Sequence, residues 1–434
     1  MQVSIETLEG LERRMTVQVP SETVAQAVAK KLNDLRKTVK IDGFRPGKVP
    51  LKVVQQKFGG HVRQEVIGDV IESSYHQAIT QENVRPAGMP NIESVNSEGK
   101  EDMSYTATFE IYPEIEKINF ESITIEKPIV KINDENLETM IQKLREQRKE
   151  WSEVSRAADK GDQVLVDFEG RIDGELFEGG AGKDMAVEIG AGQMLAEFEA
   201  GLKGILAGEE KLVEVNFPED YHGKEVAGKT AEFSLNATRV SEAILPEIDE
   251  SLAKSFGVED GDLEKFRADI RANMDKELAQ KLKLYMKQIA LAGLLEENQI
   301  NVPSALVTEE VRSLKMQAAE RMGKDMESFD ASSIPDQLFE EEAGKRVRTG
   351  LLLGEVIKSE NIQLDQNLLE STLTEMAAAY EQPEQMMDYY RQNKDARTSL
   401  EAMVLEDQVV SHILSKARVT EKETSFEEMM DKSS

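Results

Sequence analysis

Five aromatic side chains fall on separate predicted elements between residues 160 and 240, where they could form one apolar pocket. They are Phe168, Phe177, Phe198, Tyr221 and Phe233. A pocket of this kind binds apolar groups and offers a single hydroxyl as its polar contact. From composition alone, an ordinary hydrophobic core explains these residues better than a binding site does, so both interpretations stay open at this point.

Other kinds of catalytic chemistry lack the residues that they need. The chain contains no Cys, which excludes disulfides, thiolate metal sites and cysteine nucleophiles. Its four His residues lie far apart along the chain and show no metal-ligand spacing. The glycine-rich stretch GGAGKD at 179–184 lacks the spacing and the final Ser or Thr of a phosphate-binding loop. We therefore expect no metal and no cofactor.

A second candidate site is the stretch IDGFRPGKVP at 41–50, which combines cations, an aromatic ring, glycines and prolines. It lies within residues 30–63, where ten Lys and Arg stand against two Asp, a local net charge of 10 − 2 = +8. The whole chain carries −30, nearly all of it after residue 112. A solvated helix face explains most charge runs of this kind. The contrast with the rest of the chain favours a surface that meets a polyanion such as nucleic acid or a ribonucleoprotein.

The elements that would hold this loop form an α+β domain over residues 1–112. Alternating apolar residues predict two strands at its start and a third in the stretch MSYTATFEIYP. Between them, a helix is predicted with Ser21 as its N-cap. Beyond the loop, Pro50 predicts the start of a short helix that ends at Gly59-Gly60, with another helix following over 61–82.

The elements that would hold the aromatic side chains follow a connector at 113–149, predicted as an extended segment and a helix. Residues 160–240 are rich in glycine and in strand-like alternation, with Asp173-Gly174 as a hairpin turn between two apolar runs. One short helix is predicted in the stretch MLAEFEAGLKGI. These patterns predict a compact sheet that wraps around a single helix.

The remainder of the chain, from residue 246, is predicted to be almost entirely helical. Eleven of the 18 Met residues lie in this part, and Met suits promiscuous apolar contact because it is flexible and polarizable. The tail from Thr420 onward is expected to be loose. Periodic apolar residues and intervening prolines predict helices at about 262–298, 304–323, 335–359, 365–381 and 395–417.

The middle domain resembles the FKBP family of peptidyl-prolyl isomerases. The resemblance rests on the motifs VDFEG, DGELFEGG, MLAEFEAGLKG, NFPEDYHG and AEFSLNATRV, which follow the order found in that family. Glu178 stands where the family usually has Asp, and Leu195-Ala196-Glu197 replaces its common Ile-Pro-Gly. The resemblance implies that a proline pocket is lined by Phe168, Phe177, Glu178, Leu195, Phe198, Tyr221 and Phe233.

These residue types suit the isomerisation of X–Pro bonds. Rotation about such a bond must overcome a barrier of ~18–20 kcal/mol because amide resonance is lost on the way. An apolar wall can favour the twisted, less dipolar amide over the planar one, which is preferential binding of the transition state. No proton transfer and no covalent step is required.

Over its full length the chain resembles the bacterial trigger factor family. The stretch GFRPGKVP matches that family's ribosome-docking signature G-F-R-x-G-x-x-P, with Pro at a position that is often basic. The resemblance implies two kinds of partner: the ribosome, through a protein beside the tunnel exit and nearby rRNA, and nascent or unfolded polypeptides sheltered by helical arms. It implies that the docking residues are Gly43, Phe44, Arg45, Pro46, Gly47 and Lys48.

The predicted fold class is therefore multidomain α+β, and the resemblance implies four segments. They are an α+β ribosome-binding domain at 1–112, a linker and first part of the chaperone domain at 113–149, an FKBP-like β-sheet/helix domain at 150–245, and an elongated all-α chaperone domain with arms at 246–434.

Two alternatives to a ribosome-associated chaperone with isomerase activity stay open. One is a free-standing FKBP-type prolyl isomerase whose helices bind substrates or dimerise, and the other is a structural ribosome factor with a vestigial pocket. A free isomerase needs no cationic loop at 43–50, so this loop separates the first alternative from the chaperone. Large apolar helical surfaces predict weak homodimerisation of the free protein. Without a signal peptide or a run of ~20 apolar residues, we expect a cytoplasmic location and no membrane partner.

Overall fold

The computed structural model of the chain describes two units that are each held together by their own packing. The first unit comprises Met1–Pro128 and Leu284–Lys422, and the second comprises Ile129–Lys283 and Glu423–Ser434. Each unit combines two stretches that are separate in the sequence. The prediction instead divides the chain into four consecutive segments, so the two divisions cannot be compared directly and the predicted boundaries stay a prediction. The residues that the structure describes are 1–42, 44, 48–96, 102–221, 223–322, 334–378 and 380–432.

The N-terminal part of the first unit combines an antiparallel sheet with helices, the α+β class that the sequence predicts, but it has four strands and two helices where three strands and three helices were predicted. The sheet has the strand order β1-β2-β4-β3, and alternate residues of β2 and β4 are buried in its core. Its elements are β1 (Gln2–Thr7), β2 (Glu12–Val19), α1 (Ser21–Thr38), α2 (Leu51–Gln81), β3 (Asn91–Asn96) and β4 (Met103–Glu110).

Two predictions about these helices are wrong. Helix α2 does not end at Gly59-Gly60 but continues to Gln81, because buried Val residues on either side of the glycines pack into one core. This packing offsets the helix propensity lost at each Gly, about 1 kcal/mol. Ser21 is not the N-cap of α1: Pro20 occupies that position, and the backbone N–H of Ser21 donates to the Asp102 carboxylate at 2.9 Å.

The second unit contains a sheet that wraps one short helix, as predicted. The sheet order is β6-β10-β7-β8, and β9 pairs with β10. The predicted turn at Asp173-Gly174 joins β7 to β8, and both residues have the positive φ angles, 52° and 85°, that a two-residue hairpin turn needs. The elements are α3 (Asp134–Gln147), β6 (Glu150–Glu153), β7 (Gln163–Ile172), β8 (Glu175–Glu188), α4 (Ala196–Leu202), β9 (Glu210–Asn216), β10 (Thr230–Ile244) and α5 (Glu250–Ser255).

The rest of the described chain is helical, close to the predicted ranges. One helix was not predicted: Pro383 was expected to interrupt helical structure, but it is the first residue of α10, where a proline has no intrahelical hydrogen bond to lose. The elements are α6 (Leu263–Glu297), α7 (Ser304–Arg321), a 3-10 turn (Asp336–Leu338), α8 (Glu340–Ser359), α9 (Gln366–Ala377), α10 (Pro383–Gln392) and α11 (Lys394–Lys416).

The prediction of a loose tail is also wrong. Strand β11 (Arg418–Glu423) pairs with β5 (Thr124–Ile129), and a short helix α12 (Phe426–Asp431) follows. The Ser425 hydroxyl caps this helix, and the side chain of Met429 is fully buried. The tail is therefore ordered by a strand partner almost 300 residues earlier in the chain, which no local sequence pattern shows.

Candidate functional site

A cavity of about 540 Å³ opens in the second unit between its sheet and helix α4. Its volume falls in the range of small-molecule binding sites. The structure brings all seven side chains predicted for the proline pocket to its wall, whereas their roles in isomerisation stay a prediction. The seven are Phe168, Phe177, Glu178, Leu195, Phe198, Tyr221 and Phe233.

Phe233 on β10 lies at the centre of the aromatic wall. Its ring centroid is 5.4 Å from that of Phe198, 6.0 Å from that of Phe168 and 6.1 Å from that of Phe177. Two of the three pairs meet edge to face, the arrangement that the ring quadrupoles favour. Phe198, Phe233 and Phe168 are buried, while Phe177 is half-buried, so these rings form a rigid floor with one more accessible side.

Glycines in β7 and β8 make room for these rings. A Cβ atom at Gly170 would lie 2.5 Å from the Phe233 ring, and one at Gly182 would lie 2.6 Å from the Phe168 ring. Carbon atoms do not approach each other this closely, so any larger residue would displace a ring. Gly170 and Gly182 thus help to define the shape of the cavity.

Phe217 belongs to the same wall but was not among the predicted residues. Its ring centroid lies 4.9 Å from that of Tyr221 and 5.9 Å from that of Phe177. It follows directly after the end of β9 and precedes Pro218, and it is buried. The alternation of apolar Val213, Val215 and Phe217 with polar residues was the signal that could have found it.

Glu199 fixes the segment 190–194 that leads into α4, and it was also not among the predicted residues. Its buried carboxylate accepts the backbone N–H of Gly190 at 2.9 Å and that of Met194 at 3.1 Å. Burial acts to raise the pKa of the Glu199 carboxyl, but hydrogen bonds from the backbone between Gly190 and Met194 outweigh it and lower the pKa below its ordinary value. No local sequence pattern distinguishes Glu199 from the exposed Glu197 of the same short helix.

A second buried carboxylate belongs to Asp162, whose backbone holds the chain where it leaves strand β8. Asp162 is buried and accepts two hydrogen bonds from the Arg156 guanidinium, at 2.5 and 3.0 Å, and one from the backbone N–H of Asp159. The bonds from Arg156 are the main reason why the pKa of Asp162 lies below its ordinary value. The carbonyl oxygen of Asp162 accepts the N–H of Ile189, so the pair ties the loop before β7 to the residue that follows β8.

The second predicted site, the loop between α1 and α2, is described only in part. Phe44 has 40% of its side chain exposed, and Lys48 is exposed as well. The next residue, Val49, is fully buried and anchors the chain before α2 begins. Gly43, Arg45, Pro46 and Gly47 lie outside the described residues, so the structure does not test their predicted role.

The basic patch that surrounds this loop is partly neutralised by neighbouring acids. The Lys31 ammonium lies 2.9 Å from the Glu65 carboxylate and 3.8 Å from that of Asp69. The hydrogen bond that the Lys31 ammonium donates to Glu65 is the main cause that raises the pKa of Lys31. The count of +8 from the sequence therefore overstates the net positive charge that helices α1 and α2 present to solvent.

Within the described residues, no group of three or more potential metal ligands comes together, and no helix combines the length and the apolar character needed to cross a bilayer.

Three family models match consecutive parts of the chain. The model "Bacterial trigger factor protein (TF)" matches residues 1–144, and its C-terminal counterpart, "Bacterial trigger factor protein (TF) C-terminus", matches 262–415. Between them, "FKBP-type peptidyl-prolyl cis-trans isomerase" matches 154–238, the part that contains the aromatic cavity.

Similar proteins extend over the whole chain. It is 48% identical to the trigger factor of Thioalkalivibrio sulfidiphilus over 99% of this chain and 98% of that one. It is 44% identical to the trigger factor of Pseudoalteromonas atlantica over the full length of both. A solved structure described as "Promiscuous Substrate Recognition in Folding and Assembly Activities of the Trigger Factor Chaperone" shares the fold, with 20% identity, a TM-score of 0.51 and coverage of 96% of this chain and 100% of the other. The chain therefore belongs to the trigger factor family and carries an FKBP-type peptidyl-prolyl isomerase domain.

Proposed function

We propose that this protein is a ribosome-associated chaperone that shelters newly made polypeptides and catalyses the cis/trans isomerisation of their X–Pro bonds. The observation that carries the proposal is the aromatic cavity of the second unit, in which all seven side chains expected for a proline pocket meet. Membership of the trigger factor family supports the chaperone and ribosome parts.

The cavity suits isomerisation because its wall is apolar and rigid. A proline ring can rest against the buried rings of Phe168, Phe198 and Phe233 while the preceding amide twists above them. The twisted amide has a smaller dipole than the planar amide, so an apolar wall binds it preferentially. In this proposal the Tyr221 hydroxyl donates a hydrogen bond to a substrate carbonyl, and Glu178 lies at the exposed mouth.

The loop between α1 and α2 is the proposed contact with the ribosome. Phe44 supplies an apolar anchor and Lys48 a cation, and both are exposed beside the buried Val49. An adjoining basic surface fits a ribosomal protein beside the tunnel exit and the phosphates of nearby rRNA. Arg45, together with the glycines and Pro46, completes the proposed docking segment on sequence grounds alone. The exposed Phe44 and Lys48 favour the ribosome-associated chaperone over a free-standing isomerase.

The helices of the first unit are the proposed surface for nascent and unfolded polypeptides. Large apolar side chains remain exposed there, among them Met322 at 68%, Leu338 at 71% and Tyr389 at 53%. Exposed flexible apolar side chains adapt to many partners. The same surfaces would support weak homodimerisation of the free protein in the cytoplasm.

Phe233→Leu tests the isomerase part in the full-length protein. Leu keeps an apolar side chain but removes the ring that contacts Phe168, Phe177 and Phe198. We expect kcat/KM in proline-limited refolding of a test protein to fall at least tenfold while co-sedimentation with ribosomes is unchanged. An unchanged kcat/KM would exclude this cavity as the catalytic site, and a vestigial pocket would then be the better explanation.

A further inference from the structure

A second apolar cavity, of about 620 Å³, lies in the N-terminal part of the first unit. One wall is the middle of helix α2, and the other is the segment that leads from that helix into strand β3. It is far in sequence from the isomerase domain and is separate from the docking loop. Its lining residues are Gly68, Ile71, Glu72, Tyr75, His76, Ile79, Pro86, Gly88, Met89, Pro90 and Ile92.

The walls of this cavity combine rigid and adaptable apolar groups. Pro86 and Pro90 restrict the backbone of the segment, whereas the side chain of Met89 between them is 94% exposed. A methionine this exposed is free to fold over a bound apolar group and adapt to its shape. The wall on α2 contributes Ile71 and Ile79 from the same helical face.

The size of the cavity fits a short segment rather than a folded partner. Its wall contains 11 residues. A stable interface between folded proteins uses about 20–30 residues on each side. One or two apolar side chains of an extended chain would fill the space, whereas a second copy of this protein would need a much larger contact.

The charge at the rim favours one kind of segment. Glu72 is exposed beside the cavity and forms no ion pair with any residue that the structure describes. The chain as a whole carries −30. A Lys or Arg next to the bound apolar side chain would meet this carboxylate, and an acidic flank would be repelled.

We propose that this cavity is a binding site for an extended client segment, in which an apolar side chain enters between α2 and Met89 while a flanking cation meets Glu72. The inference rests on the proposed chaperone function and adds a site for clients outside the helices that follow residue 284.

Two glycines of the same helix provide a blocking variant and its control. Both Gly68 and Gly60 are exposed in α2, and a Cβ atom at either position has no heavy atom within 4 Å. Gly68→Leu therefore places a side chain at the cavity without distorting the fold. Gly60→Leu makes the same substitution two turns away, where it does not line the cavity.

The probe is a ten-residue Gly/Ser peptide with one Phe flanked by two Arg, together with a twin in which Glu replaces both Arg. Binding to the full-length protein is followed by methyl NMR signals of Ile71, Ile79 and Met89. We expect the Arg peptide to shift these signals, the Glu peptide to bind about tenfold more weakly, and Glu72→Gln to remove most of that difference. Gly68→Leu should weaken the Arg peptide at least tenfold, and Gly60→Leu by less than twofold.

Three outcomes would overturn the inference. If the peptide binds but shifts only signals elsewhere, or if Gly68→Leu binds it as well as the unmodified protein does, the cavity is not a client site and the chaperone proposal stands. If the signals shift with protein concentration in the absence of peptide, a second copy occupies the cavity. If no apolar peptide binds anywhere on the chain, the chaperone proposal itself fails.

Discussion

Glu199→Gln tests whether a buried carboxylate shapes the isomerase pocket. In the structure each carboxylate oxygen accepts one backbone N–H, from Gly190 and from Met194. Gln keeps one of these acceptors and turns an NH₂ group toward the other N–H. Loss of one hydrogen bond to a charged group, with its buried partner left unpaired, costs about 1.5–3 kcal/mol.

The stability of the second unit can be read from a single residue. Trp151 on β6 is the only Trp of the chain, so its fluorescence reports on unfolding of this unit in the full-length protein. We expect the urea midpoint of that signal to fall by the amount that corresponds to about 1.5–3 kcal/mol. Glu197→Gln is the matched control, because Glu197 is an exposed carboxylate in the same helix, and its midpoint should not move.

The same substitution should slow isomerisation. The segment between Gly190 and Met194 leads into Leu195, which lines the pocket. A wall that moves more freely binds the twisted amide less well, and loss of about 1 kcal/mol of transition-state binding lowers kcat/KM roughly fivefold. The midpoint would fall and kcat/KM would stay constant if Glu199 only stabilised the fold, and that result would refute the proposed role.

The pH dependence provides a further check on the same residue. The pKa of Glu199 is lower in the folded than in the unfolded chain, whose carboxyl has the ordinary value of 4.5. The folded state therefore binds this proton less readily, and its stabilising contribution is complete above that value and lost as the pH falls below it. Glu199→Gln should flatten the decrease in stability over this acidic range, as followed by Trp151 fluorescence.

Three further predictions concern other parts of the chain. Phe177→Ala should lower kcat/KM for a proline peptide at least tenfold, whereas Ala at the exposed neighbour Leu176 should leave it unchanged; equal effects would argue against the aromatic wall. Asp162→Asn should weaken the bonds from Arg156 and destabilise the second unit by about 1.5–3 kcal/mol, and an unmoved Trp151 transition would contradict this. Deleting residues 150–245 should leave protection of an aggregating client intact, because the two ends of the deleted segment pair side by side in the sheet; loss of protection would assign that activity to the isomerase domain.

Local sequence patterns were sufficient for the elements whose structure depends on near neighbours. The alternation of β7 and β10 and the turn at Asp173-Gly174 were predicted correctly. Side chains on alternate faces of a strand, and positive φ angles in a two-residue turn, depend on residues only a few positions apart. The pocket residues themselves came from the resemblance to the FKBP family, because composition alone favoured an ordinary core for Phe168 and Phe233.

Features that depend on distant partners could not be predicted in this way. Gly59 and Gly60 in α2 are tolerated because Val54 and Val62 on either side pack into the core, which overrides their low helix propensity. The tail after Thr420 is ordered by strand β5, almost 300 residues earlier in the chain. Glu199 reads as a surface carboxylate of a short helix until the fold places it beneath the segment after β8.

Co-sedimentation with ribosomes tests the central proposal most directly. The test protein carries Phe44→Ala, Arg45→Ala and Lys48→Ala together, which removes the proposed apolar anchor and both cations of the loop. The control carries Lys265→Ala and Lys276→Ala, which removes two exposed cations of helix α6, outside the basic patch. We predict that the triple variant loses at least tenfold in ribosome affinity while the control stays within about twofold of the unmodified protein. A triple variant that sediments with ribosomes as the unmodified protein does would contradict the docking assignment and would leave a free-standing isomerase as the better account.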